Sequence, residues 1–292
     1  MIKNFLFVLV LVCSQVKAFA KEIKVDRIYQ GDSVKEVELG HVIDQIQSPA
    51  VVIVSEIHNL QQHHKKQNQF LNALGEKQGH RISVGMEFLS FIHQTWVDQF
   101  LFENLAEAEF LKQVEWSGDF AAYRSLVLFP KEHGGETVAL NAPKYLTTKI
   151  AKSGLASLND EERTLIPINF SLGNPEYFER FKSVMTGGGH TLPAAVVARY
   201  FEAQSVWDET MADNAAKYLE RNPDSILVII VGDFHAQYGG GLPDRLRARG
   251  VANVMTISQV NLQGLNSRES LLEVGPHPRY GRRADYIWTS RE

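Results

Sequence analysis

The sequence predicts an α/β fold: a mostly parallel sheet flanked by helices, with a smaller all-helical subdomain inserted. Three observations point to it. Ile226–Val231 is a nearly continuous apolar run, as a parallel strand covered on both faces requires. Similar runs alternate with stretches of helical spacing, the pattern of βα units. One long stretch, 157–221, carries little strand signal.

Taken in order, the chain opens with Lys3, an apolar run from Phe5 to Val12, and then Ala18-Phe19-Ala20 before a charged stretch. A basic start, a short apolar core and an A-x-A site predict a secretory signal peptide over 1–20, and hence an exported protein of the periplasm or cell envelope. The core is too short to span a bilayer. Lipid anchoring through Cys13, the single cysteine, is the poorer alternative, because Val12 stands where a lipoprotein places a small residue. Buried strands are predicted at Val51–Val54, Ile82–Met86, Thr137–Leu140 and Ile226–Val231, with a weaker one at Val254–Val260. Gln67, Phe70, Leu71 and Leu74 fall on one helix face, and Trp96, Val97, Phe100 and Leu101 mark another. In the strand-poor segment Pro175 opens a helix carrying Phe178 and Phe181. Thr186-Gly-Gly-Gly189 breaks the chain, and Pro193 starts a longer helix through Val197, Phe201 and Val206. The domain reading is therefore a sheet domain built from 21–156 and 222–292, interrupted by a helical subdomain at 157–221.

Composition narrows the function. The chain has 292 residues, 44% of them hydrophobic, enough to bury a core without disulfides. Its formal net charge of -4 leaves no basic surface for nucleic acid. Arg245, Arg247 and Arg249 recur every second residue and read as a solvated face.

The chemistry collects where the apolar runs end. Val51–Val54 runs into Ser55-Glu56-Ile57-His58, and Ile82–Gly85 into Met86-Glu87-Phe88. Val138–Leu140 runs into Asn141-Ala142-Pro143, and Val228–Val231 into Gly232-Asp233-Phe234-His235. In an open parallel sheet the ligand crevice lies outside the carboxyl ends of the strands, so Glu56, His58, Glu87, Asn141, Asp233 and His235 should gather at one edge. His63-His64-Lys65, just before the helix of Phe70 and Leu74, sits where free N–H groups favour anions and reads as ligand-facing.

These residues resemble the ChaN-type pattern G-E-x-H-D-N-x-x-H-H-x-x-Q. Here it runs Ser55-Glu-Ile-His58, His63-His64 and Gln67, followed in order by Gly85-Met-Glu-Phe88 with Gln94, Asn141-Ala-Pro143, Gly232-x-x-His235 and Gly241-Leu-Pro243. Ser55, Asn59 and Leu60 depart from the family's glycine, aspartate and asparagine. The resemblance implies a haem-binding, iron-regulated bacterial protein in a superfamily with Tiki proteins and erythromycin esterases, some of them metal-dependent hydrolases. It implies haem as ligand, a homodimer that covers both haem faces, and an outer-membrane haem receptor or periplasmic carrier as partner. It also implies a tyrosine on ferric iron, for which Tyr145 beside Lys144 is the first candidate, with Tyr238 and Tyr123 behind it. Glu56, His58, His64, Glu87 and His235 complete the candidate site. The alternative is a metal-dependent hydrolase in which Glu56, His58, Glu87 and His235 hold a divalent ion that activates water.

Overall fold

The computed structural model describes residues 22–77, 81–187 and 192–292. The leader over 1–20 with Cys13, and Gly188 and Gly189 of the glycine break, lie outside the described residues.

The five predicted runs form the parallel strands β3 (Ala50–Glu56), β4 (Arg81–Ser90), β5 (Thr137–Asn141), β6 (Ser225–Gly232) and β7 (Val254–Asn261). Three strands were not foreseen: β1 (Ile28–Gln30), β2 (Glu36–Val37) and β8 (Tyr286–Ser290). Together they make one eight-stranded sheet in the order β2-β1-β8-β7-β3-β6-β4-β5, parallel except where β1 pairs with β8 and β2. β3 alternates by the period of a pleat: Val52 and Val54 join the core on one face, Val51 and Ile53 the core on the other. Both faces are covered, which is why its sequence reads as an unbroken apolar run.

On the first face lie α1 (Leu39–Asp44), α2 (Gln61–Lys77), α3 (Gln94–Phe102), α4 (Glu107–Gln113) and α5 (Arg124–Glu132), contributing Phe70, Leu74, Leu101, Phe110 and Val127 to the larger core. After β5 come α6 (Lys144–Ser153), the single turn α7 (Asp160–Arg163), α8 (Pro175–Thr186) and α9 (Ala194–Arg221). Pro175 occupies the first turn of α8 and the Asn174 side chain accepts from Tyr177 N–H at 2.8 Å, satisfying an otherwise open helix end. α10 (Asp233–Ala236), α11 (Leu242–Ala248) and α12 (Ser267–Val274) complete the chain.

At 28 residues α9 is about 42 Å long, well beyond the reach of one strand. Its second half lays Met211, Ala212, Ala215 and Tyr218 on the sheet beside Ile53, Leu227 and Ile229. In its first half Val197 and Phe201 pack with Tyr177 and Phe181 of α8, while Ala203 and Val206 pack with Leu146 and Ile150 of α6. One helix therefore packs on the sheet with its second half and on α6 and α8 with its first. Among the described residues no helix is long and apolar enough to cross a membrane.

Register sets the site. Glu56 is level with Gly232, Met86 with Ile230, and Asn141 with Ser90, so the four strand endings reach one edge. β3 leaves that edge into α2 on one face, and β6 leaves it toward α11 on the other. The chain thus diverges between the carboxyl ends of β3 and β6, the place where open α/β sheets form a crevice.

Candidate functional site

Glu56 ends β3 with its side chain turned into the protein, 1% exposed. A buried carboxylate must be fully hydrogen-bonded to keep its charge. Gln67 Nε2 donates to it at 2.7 Å and Tyr123 OH at 2.5 Å; His58 Nδ1 lies 2.9 Å away and His64 Nε2 3.4 Å away. Burial works against ionisation, but the bonds from His58, His64 and Tyr123 outweigh it and hold the carboxyl down at about 2. The same bond to Glu56 raises His58, whose side chain is 50% exposed. Burial and the neighbouring Glu56 push the Tyr123 phenol far up, so its proton stays on.

Both histidines at the start of α2 are turned into the protein. His63 is wholly buried, and its Nδ1 accepts from Ile57 N–H at 3.0 Å while Nε2 meets Ser290 Oγ at 3.2 Å. Burial pushes it down to about 4, so it is a neutral brace between the loop of His58 and β8. His64 is buried behind Tyr123, whose hydroxyl lies 3.0 Å from Nε2. The helix start points inward because both imidazoles find fixed partners there, leaving Lys65 as the exposed member.

A second group stands across β6. Gly232 N–H donates to Glu87 Oε2 at 2.5 Å, and Glu87 Oε1 is 3.4 Å from His235 Nε2. His235 Nδ1 reaches Asp208 Oδ1 at 2.6 Å, and Asp208 Oδ2 accepts from Tyr177 OH at 2.7 Å. Burial disfavours the imidazolium, yet Glu87 and Asp208 outweigh it and push His235 up to about 10. Glu87 is likewise held below its ordinary range, the charge of His235 overcoming burial. Gly232 joins the two groups. A Cβ there would lie 2.9 Å from His58 Cε1 and 3.5 Å from Glu87 Oε2, so only glycine leaves room for the His58 ring. Glu56, His58, Glu87 and His235 are thereby brought together at the strand edge.

Asp233 turns away from them. Its carboxylate accepts from Ser55 Oγ at 2.5 Å, Ser258 Oγ at 2.6 Å and Arg283 Nη2 at 2.6 Å, locking β3, β7 and the 275–285 segment. Ser55, the departure from the family glycine, thus gains a structural partner. Asn141 Nδ2 donates to Glu87 O at 2.9 Å, holding β5 to β4. Gln94 covers the free edge of β5, its amide bonding Ala139 N–H at 2.7 Å and Thr137 O at 2.9 Å.

The surface Arg reading needs correction. Arg245 is buried, with Nε 3.2 Å from Glu209 Oε1, and Arg249 pairs with Glu209 and with Asp213. Only Arg247 of the three remains on a solvated face, because α9 supplies acids to the other two.

Lys144 and Tyr145 occupy the first turn of α6, at the mouth of a cleft of about 270 Å³ bounded by Phe88, Ile92, Trp207 and Glu87. Tyr145 is 55% exposed, and among the described residues its phenol meets no hydrogen-bond partner. Beyond it opens a shallower groove of about 530 Å³ along α6. Glu87 is the one member of the buried cluster that reaches the cleft; His58 lies on the other side of it, over Gly232. Of the other two tyrosines, Tyr123 is bonded to Glu56, and Tyr238 is half-buried against His277 and Tyr280. Sequence reasoning missed Asp208, Gln204, whose amide nitrogen lies 3.0 Å from His235 Nδ1, and the cleft residues His93 and Trp207. Gln204 and Asp208 stand on the same helical stripe as Met211 and Ala215, but nothing in the sequence names the partners they meet there.

A flat, apolar ligand edge suits the aromatic cleft, and an exposed phenol beside a lysine suits a ferric centre with acidic substituents. The residues present therefore fit one face of a haem. The divalent-ion alternative finds no such fit. Its four candidate ligands are spent on each other and on Asp208, and among the described residues no three His, Cys, Asp or Glu side chains are arranged to hold a metal ion.

A family model described as haem-binding uptake, Tiki superfamily, ChaN, matches residues 42–246. Among solved structures, ChaN of Campylobacter jejuni, described with cofacial heme binding, is similar at 15% identity and a TM-score of 0.67, over 89% of this chain and 95% of that one. The Q81BN2_BACCR protein of Bacillus cereus is similar at 11% identity and 0.49, over 93% and 94%. An erythromycin esterase, EreC, in its open conformation is similar at 11% and 0.45, over 73% and 70%. Among curated proteins none matches the sequence.

Proposed function

This chain belongs to the ChaN family of haem-binding uptake proteins, within the Tiki superfamily, and on that premise we propose that it is an exported haem-binding protein of the bacterial cell envelope serving haem and iron acquisition, with Tyr145 as the ligand to ferric iron. The observation that carries the Tyr145 assignment is its exposed, unpartnered phenol at the mouth of an aromatic-walled cleft. Bound haem would supply the ferric centre, for which an anionic phenolate is a suitable hard donor. Tyr145 lies in the first turn of α6, directly after Lys144. Phe88, Ile92 and Trp207 would cover the apolar edge. The buried Glu56 and Glu87 networks fix the strand ends that shape this wall. A cleft this small covers one face of a macrocycle, so the reading includes a homodimer in which a second copy covers the other, and an outer-membrane haem receptor or periplasmic carrier as the exchange partner.

The test is a haemin titration followed by absorbance. The wild type should give a high-spin ferric spectrum with a phenolate charge-transfer band. Tyr145→Phe keeps the ring and its packing, so folding should be unchanged while the band disappears and affinity falls. A wild type that binds no haemin, or a band that survives in Tyr145→Phe, defeats the assignment.

A further inference from the structure

We propose that the two carboxylates of the bound haem lie on the outer face of α6, held by Lys144 and Lys152, while the opposite, apolar edge of the macrocycle enters the cleft behind Tyr145. This inference rests on the haem-binding reading above and adds an orientation to it.

The outer face of α6 carries Lys144, Tyr145, Thr148, Lys149 and Lys152 at helical spacing, and all five line the groove of about 530 Å³. The inner face, Leu146, Thr147 and Ile150, is buried against α9 and fixes the helix's rotation. Lys149 is already committed. Its ammonium donates to both oxygens of Glu162 at 2.8 and 2.6 Å, so its charge is neutralised. Lys144 and Lys152 have no acidic partner among the described residues, and they stand on either side of it along the helix. Eight residues of helix separate them by about 12 Å, a span that two long side chains can close onto two carboxylates at one ring edge.

The inner cleft offers the reverse environment. Phe88, Ile92, Val114 and Trp207 line it together with two acids, Glu115 and the ionised Glu87, and Lys144 stands at its mouth. A carboxylate pushed inward would meet the Glu87 charge in a partly desolvated space, whereas an apolar edge buries favourably there. Tyr145 stands where groove and cleft join, so a macrocycle spanning both brings its centre past the phenol. Glu115 lines both spaces and is the one acid lining the groove with the lysines. It should oppose carboxylate binding, which supplies a second, opposite-signed test.

Haemin and haemin dimethyl ester, whose carboxylates are uncharged, are titrated into the wild type, Lys144→Met/Lys152→Met and Glu115→Gln. The wild type should prefer haemin to its ester, and salt should weaken haemin binding more than ester binding. The double variant should lose roughly tenfold or more in haemin affinity, keep its ester affinity, and keep the phenolate band. Glu115→Gln should bind haemin more tightly and the ester unchanged. Equal haemin affinity in the wild type and the double variant overturns the orientation while leaving the haem reading intact, as does a parallel loss for both ligands. A wild type that binds neither ligand overturns the haem reading itself.

Discussion

His63 illustrates how a side chain can resemble a ligand in sequence and serve as a brace in space. Its Nδ1 has to stay unprotonated to accept from Ile57 N–H, and burial enforces this by pushing the ring from 6.5 to about 4. In the unfolded chain the ring protonates as pH falls through about 6.5; in the folded protein it does so only near 4. The unfolded state therefore binds more protons in that window, and the stability His63 contributes is full above it and lost as pH falls through it. Glu56 adds a lower window. Its carboxyl drops from 4.5 to about 2 on folding, so its contribution is lost as pH falls through that range. His63→Asn places an amide oxygen near the position of Nδ1 and cannot titrate. Urea midpoints of the wild type should fall between pH 6.5 and 4, while those of His63→Asn should stay nearly level until the Glu56 window opens. Equal pH slopes in the two proteins between those limits would assign the titration elsewhere.

Between elements, α9 is joined to α11 and to the strand edge by charges that leave no trace in hydropathy. Asp208 is fully buried; it orients His235 at 2.6 Å, accepts from Tyr177 at 2.7 Å, and faces Arg245 at 3.7 Å. Removing one partner from such a network leaves the others buried and uncompensated, at a cost of roughly 3–5 kcal/mol. Asp208→Asn keeps the shape and should lower stability by about that amount, whereas Arg247→Ala, on the solvated side of α11, should change it by less than about 0.5 kcal/mol. The alkaline side gives a finer readout. His235, raised from 6.5 to about 10, contributes stability that is full below 6.5 and lost as pH rises through about 10. Without Asp208 its titration, followed by the ring resonances, should move to lower pH and the upper limit of the stability plateau should move with it. An unmoved His235 titration would assign its charge to Glu87 alone. Legibility follows the same division. β3 and β6 were plainest because full burial on two faces demands continuous apolar residues, β7 was weaker because Thr256, Ser258 and Gln259 interrupt it, and Glu56, Glu87 and His235 were visible because they come at or just past the ends of apolar runs. Asp208 was hidden because its partners come from α8, α10 and α11, and pairing across that distance exists only after folding. β8 was hidden because its five buried residues follow a Pro-, Gly- and Arg-rich stretch. The arginines were misread for the reason that hid Asp208: alternation along the sequence says nothing of the acids α9 brings opposite.

For the whole molecule, the residues just before β1 are tied to the antiparallel edge of the sheet. Ile23 is buried, Lys24 N–H donates to Tyr29 OH at 2.8 Å, and Thr289 Oγ1 donates to Lys24 O at 2.7 Å. That segment is held between β1 and β8, the antiparallel edge of the sheet, at a distance from the cleft of Tyr145 set by the order β1-β8-β7-β3-β6-β4-β5. Cleavage after Ala20 would leave every one of these contacts in place, whereas removal of a few further residues would expose the Tyr29 hydroxyl and the Thr289 side chain. The basic start, apolar core and A-x-A site motivate the prediction that the precursor is cut there during export. Expression of the full sequence in a bacterial host, followed by fractionation and intact-mass measurement, should recover from the periplasm a chain beginning at Lys21. A cytosolic chain beginning at Lys21 should unfold at the same urea midpoint and bind haemin with the same affinity. A chain beginning at Ile28 should be markedly less stable, because β1 loses the segment that ties it to β8. A diacylated N-terminus at Cys13 would replace free export by lipid anchoring, and a full-length product retained in the cytoplasm would remove both.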